Sequence, residues 1–151
     1  MILISHRGNV DGKNLNKENS PEYILEALSF GFNVEIDVWV EENKFYLGHD
    51  KPSFLIEKDF LINNKLWCHA KNLEALVQML DEPDIHCFWH QNDDVTLTSK
   101  QYVWTYPGKK IANKRAVAVM PEIIKSDISL AVGICSDYIS DWTNLIKGDR
   151  K

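Results

Sequence analysis

One pattern limits what this chain can become: short apolar runs, each closed by polar residues able to do chemistry. Residues 2–5 end at His6-Arg7-Gly8, and residues 65–70 end in His69-Ala70-Lys71-Asn72. Residues 85–89 end in His90-Gln91, and residues 132–135 in Ser136-Asp137. Apolar runs of this length, bounded by turn residues, read as buried strands. Strands alternating with helical or loop segments predict a parallel α/β arrangement. In such folds the carboxyl ends of the strands converge on one mouth, where sites form.

Residues 33–40 are the clearest strand. Val34, Ile36 and Val38 share one face, and Glu35 and Asp37 share the other, because side chains two apart on a strand point the same way. A turn over 41–44 leads to a return strand at 45–47, and Gly48 then delivers His49-Asp50. Ser20 is a suitable helix N-cap and Pro21 suits the first helical position. Tyr23, Ile24, Ala27 and Leu28 recur at helical spacing, with Gly31 as the stop. Asn72 can cap a second helix over 73–80, followed by Pro83. Further strands are predicted at 102–105 and 116–120, and a last short helix at 140–146. No repeat, low-complexity segment or linker divides the chain, so 1–151 reads as a single domain.

Net charge is −5, without the basic footprint of a nucleic-acid binder. An anionic substrate would need local compensation from Arg7, Lys71 or a cation, because the global field opposes it. Cys68, Cys87 and Cys135 lie far apart within apolar runs. They are expected to be buried free thiols in a reducing compartment rather than a disulfide framework or zinc ribbon. No run approaches the roughly 18 apolar residues of a membrane span, and the N-terminus lacks a signal-peptide pattern. The cytoplasm is the expected location.

Two carboxylates on one strand face repel unless something positive lies between them. For Glu35 and Asp37 a bound Mg²⁺ or Ca²⁺ would resolve this, since hard cations prefer oxygen ligands. The same alternation also fits a half-buried strand with a solvated polar edge. His6 and His49 flank the pair in sequence, and histidine exchanges protons near neutral pH. Either could equally be a satisfied structural residue. Arg7 offers a planar fork for phosphate oxygens, or a salt bridge to a neighbouring carboxylate. His90 at a strand's carboxyl end could touch substrate, and Trp104 could wall the pocket. Gln91, Asp93 and Asp137 are lesser candidates, and His86 with His90 could form a paired-histidine metal site.

His6-Arg7-Gly8, Glu18-Asn19-Ser20, Ala27, Gly31, Glu35-x-Asp37-Val38 and His49-Asp50, taken in order, resemble the front end of the glycerophosphodiester phosphodiesterase family. That family belongs to the phosphatidylinositol-phospholipase-C-like phosphodiesterases, which share a TIM-type barrel. The resemblance implies His6 and His49 as an acid–base pair and Glu35 and Asp37 as ligands of a divalent cation. It implies Arg7 as a phosphate contact, Glu18 beside the metal and Asn19 beside the substrate. Beyond residue 50 the match thins. Lys71 stands where the family has a substrate-side lysine, and His69 where it has a third metal-binding carboxylate. Imidazole suits Zn²⁺ or Mn²⁺ better than Mg²⁺ or Ca²⁺, so His69 leaves the cation's identity open. Cys135-Ser136-Asp137-Tyr138-Ile139 resembles the family's last strand.

A TIM barrel typically takes about 250 residues. The expected fold is therefore α/β, a reduced or incomplete TIM-type (β/α) barrel with several helices replaced by loops. Stripped strand faces could be covered by a second copy, so a homodimer is expected. The expected function is metal-dependent cleavage of a small glycerophosphodiester-like or lysophospholipid-like substrate by histidine acid–base catalysis, through a cyclic phosphate. The alternatives are a phosphodiester-binding module without turnover, and an interaction domain that keeps only the motifs.

Overall fold

Alternation and capping in the first half produce the elements they predict. In the computed structural model, which describes residues 1–148, the chain opens with β1 (Ile2–His6), α1 (Pro21–Ser29) and β2 (Asn33–Glu41). Ser20 Oγ accepts from the Tyr23 amide, and Pro21 occupies the first turn. β3 (Lys44–Leu47) folds back on β2, followed by β4 (Phe54–Ile56), a 3-10 turn (Lys58–Leu61) and β5 (Leu66–Ala70). α2 (Leu73–Leu80) is capped by Asn72, whose Oδ1 accepts from the Ala75 amide. The same side chain bonds both backbone groups of Val40, which pins the helix start to β2. β6 (Cys87–Trp89), β7 (Val95–Leu97), β8 (Val103–Thr105), β9 (Ala116–Val119), β10 (Gly133–Ser136) and α3 (Ile139–Gly148) complete the described chain.

The strands form one ten-stranded mixed sheet. Its spine runs β6-β5-β2-β1-β10-β9-β8, every neighbour parallel. β3, β4 and β7 are antiparallel additions. The sheet curls into a half-barrel and corrects the expected reduced TIM-type (β/α) barrel. Ten strands carry only three short helices among the described residues, so the helix-after-strand alternation of that fold does not occur. Chain length is the physical reason: eight strand–helix units from 151 residues would average about 19 each, too few for a strand, a full helix and two loops.

Two different solutions cover the convex face. α1 lies against β2, and α2 against β2, β5 and β6, where Ile24, Val34, Ile36, Val38 and Met79 are fully buried. Each such side chain contributes about 1.5–3 kcal/mol of burial. α3 lies against β1 and β10; across β8 and β9 no helix among the described residues packs, and Ile111, Ile128 and Ala131 from the connecting segments pack on Ala116 and Ala118. The strand alanines let an irregular backbone lie close. β4, β7 and the 3-10 turn were absent from the sequence reading. β4 and β7 are three residues long, too short to show a period, and hairpin pairing rather than local pattern defines them.

The concave face holds a small second core of Ile4, Trp67, Phe88, Trp104, Val117 and Cys135. Cys68, Cys87 and Cys135 are buried free thiols, and burial pushes all three up from the ordinary thiol range. No helix among the described residues is long and apolar enough to cross a membrane.

Candidate active site

Register assembles the site. In the parallel pairing His6 lies beside Glu35, and Asp37 beside His69. β10 runs beside β1, which brings Asp137 to His6. All these side chains point to the concave face at the carboxyl end of the spine. His6, Arg7, Glu35, His49, His69 and Lys71 line one side of a cleft of about 740 Å³. His90 and Gln91 lie on its lip, and Trp104 forms part of its floor.

Asp37 is the hub. It is fully buried. Asn19 clamps it by donating Nδ2 to Oδ2 at 2.9 Å and accepting the Asp37 amide at 2.9 Å. Asn19 holds a left-handed backbone, φ 63°, an uncommon state that fits a residue fixed from several sides. Arg7 Nε lies 2.9 Å from Oδ2, His49 Nδ1 3.2 Å from Oδ2, and Lys71 Nζ 3.4 Å from Oδ1. Burial by itself would raise this carboxyl. The His49 and His69 contacts and the Arg7 charge outweigh it and hold Asp37 well below the usual carboxylate range.

Glu35, Asp37 and His69 each offer a ligand atom, and these atoms lie within 4.8 Å of one another. Glu35 Oε2 and Asp37 Oδ1 are buried without a hydrogen-bond partner. The His69 and Lys71 approaches to Asp37 Oδ1 are at ion-pair distance but lack hydrogen-bond geometry. Two orphaned carboxylate oxygens beside an imidazole nitrogen fit a divalent cation. His69 Nε2 donates to the His90 carbonyl at 2.8 Å, so its Nδ1 is the atom that faces the acids, 3.2 Å from Asp37 Oδ1 and 3.7 Å from Glu35 Oε1. Burial would lower His69, but Asp37 and Glu35 push it up to about 9. It is therefore protonated at neutral pH, standing in as the counter-charge a cation would supply. Binding a metal there requires that proton to leave.

His6 is oriented by Asp137, Nδ1 to Oδ1 at 2.7 Å, and its Nε2 faces Glu35 Oε2 at 3.8 Å. Burial would raise the Asp137 carboxyl, and the His6 contact and the Asn9 amide outweigh this and lower it. His49 is more open, its side chain 40% exposed. Gly48 makes that placement possible: its φ is +150°, and a Cβ there would collide with the Lys51 carbonyl oxygen. Arg7 divides its guanidinium among Asp37, Glu18 Oε2 at 3.2 Å and His49 Nε2 at 3.3 Å. The two Nη groups make these hydrogen bonds, whereas the Nε approach to Asp37 is an ion pair without hydrogen-bond geometry.

Glu18, expected beside the metal, lies outside the Glu35–Asp37–His69 group. One oxygen accepts from Arg7 and the other from Asn9, so it holds the scaffold. Asn19 acts on Asp37 and lines a second, smaller cleft that shares Arg7 and His49 with the first. His90 Nε2 donates to the Asp93 carbonyl at 2.7 Å, and its ring lies 5.3 Å from Tyr106. His86 is at the other end of the strand and bonds Thr98, which separates it from His90. Asn9 was missed. It is fully buried and bridges Glu18 Oε1 and Asp137 Oδ1, at 2.9 and 2.8 Å. Its only sequence signal was its position just after His6-Arg7-Gly8. No family model, curated protein or solved structure matches the chain.

Proposed function

We propose that the chain is a phosphodiesterase that uses a divalent cation to cleave a small glycerophosphodiester-like or lysophospholipid-like substrate, as members of the glycerophosphodiester phosphodiesterase family do. One observation carries this reading: an Asp137-oriented His6 and Glu35, with its orphaned Oε2, line the same cleft, and the orphaned Oδ1 of buried Asp37 lies beside them next to His69. Glu35, Asp37 and His69 would hold the cation, which when bound would polarise the phosphoryl group and acidify a nearby hydroxyl. Asp137 accepts from His6 Nδ1 and fixes the ring, leaving Nε2 to take a proton from the attacking substrate hydroxyl. As that oxygen bonds phosphorus, the bond to the departing alcohol breaks and His49, on the open lip, returns a proton to it. The product of this step is a cyclic phosphate, which water can open afterwards. Lys71 adds positive charge where the anionic substrate enters. Buried thiols support a reducing, cytoplasmic setting. Exposed Leu73, Val77 and Leu80 along α2 support pairing with a second copy.

A second reading, a phosphodiester-binding module without turnover, is favoured by one contact. Arg7 Nη2 lies against His49 Nε2, the position an acid would need for its proton. Incubation with a panel of phosphodiesters across Mg²⁺, Ca²⁺, Mn²⁺ and Zn²⁺, resolved by phosphorus NMR, decides between them. Cyclic or opened product supports the enzyme. Cation-dependent binding with every substrate left intact supports the module.

A further inference from the structure

The cleft is divided by chemistry. Its charged lining, from His6 to Lys71, comes from β1, β2, β5 and the segments after β1, β3 and β5. The opposite side comes from β8, β9 and their following loops, and it is Trp104, Tyr106, Val119, Met120, Ile123 and Ile124. This apolar wall rises from the floor to solvent: Trp104 is 4% exposed, Tyr106 47% and Ile123 64%. It is a seated surface. Gly108, at φ +77°, leaves the space where its Cβ would come 3.0 Å from Ile124. The Ile123 amide bonds the Met120 carbonyl at 3.1 Å, which turns the chain so that both isoleucines meet the cleft.

An occupant that satisfies both sides is charged at one end and apolar along the rest. Resting on the phosphodiesterase reading above, we propose that the wall of Trp104, Tyr106, Val119, Ile123 and Ile124 holds a hydrocarbon chain carried by the phosphodiester. The substrate is thus an amphiphile rather than a water-soluble glycerol ester. The phosphoryl group lies against Lys71 and the cation that Glu35, Asp37 and His69 would hold, and the chain runs across Trp104 and leaves between Tyr106 and Ile123. Because the lip is open, affinity rises with chain length until the wall is covered and then levels off.

Binding separates this from catalysis. Methyl, butyl and octyl phosphate, each below its aggregation concentration, are titrated calorimetrically into the protein with Mn²⁺. The expected result is a gain of about two- to fourfold in affinity per methylene that touches the wall. In the Ile123→Ser/Ile124→Ser double variant the methyl-to-octyl ratio collapses to a small fraction of its wild-type value. Both side chains are more than half exposed, so the fold should survive, and thermal melting checks this. Tyr106→Ser provides an independent variant with the same expectation. A flat affinity series in the wild-type protein overturns the proposal and leaves the phosphodiesterase reading standing. Failure to bind any of the phosphates, methyl included, overturns both.

Discussion

His69 and His86 point into the same half-barrel from opposite ends, and their surroundings drive them in opposite directions. His69, at the carboxyl end, sits among Asp37 and Glu35 and is raised to about 9. His86, at the amino end, is lowered to about 4 by burial and by Lys100. Its Nε2 bonds Thr98 Oγ1 at 2.8 Å, and its ring lies 4.2 Å from Trp67 and 5.7 Å from Tyr102. One end is polar, charged and left with orphaned oxygens. The other is aromatic and satisfied. The same side chain on the same curved surface becomes a charge carrier or a packing element according to its neighbours. Stability and chemistry are thus segregated along the strand direction, as in other folds whose sites gather at the carboxyl ends of parallel strands.

The largest test of that contrast is catalytic. His6→Ala should lower turnover by about 10²–10⁴-fold, measured on whichever phosphodiester the wild-type protein cleaves, whereas His86→Phe should leave turnover near the wild-type value. Equal losses in both variants would erase the distinction between the ends.

Acid stability comes next. Neutral His86 is favoured in the folded protein, with a value of about 4 against 6.5 for the ordinary side chain. Above the ordinary value neither state binds the proton, so no penalty arises. Between the two values the unfolded chain binds it and the folded protein does not, so stability falls as pH falls. The loss approaches roughly 3 kcal/mol below the lower value. Urea unfolding at neutral and acid pH should show a shallower acid decline in His86→Phe than in the wild type. The depressed Asp37 and Asp137 carboxyls give a decline in the same direction that persists in that variant.

Asp137→Asn should cost about ten- to a hundredfold in kcat, with KM nearly unchanged and the pH–rate profile displaced, because the residue positions His6 without reaching substrate. A rise in KM alone would place Asp137 in binding instead. The smallest effect should come from Ser20→Ala, whose hydroxyl accepts from the Tyr23 amide and touches neither end's histidines. Losing this cap should cost about 1 kcal/mol at every pH, with no change in the slope of stability against pH.

The site's ingredients were legible because they are local. Gly48 carries His49 out of its hairpin, and the alternation of residues 33–41 separates Glu35 and Asp37 from the apolar face. Asn72 was readable as a cap, although its grip on Val40 was not. Asn9 looked like one polar loop residue among many, since its partners Glu18 and Asp137 lie 9 and 128 positions away. The barrel expectation failed for a related reason. The motifs of residues 6–50 resemble a family built on a full barrel, but strands 103–136 follow with no helices between them.

Taken alone, the sequence determined which side chains share a strand face, where α1 and α2 begin, and which residues are equipped to move protons or hold a cation. Periodicity and capping act over a few residues and need no partner strand. Only the tertiary structure decided that His6 meets Asp137, that Asp37 meets His69, and that an apolar wall faces the charged rim. Those contacts depend on which strands become neighbours and in what register, and long-range pairing and loop closure set that order.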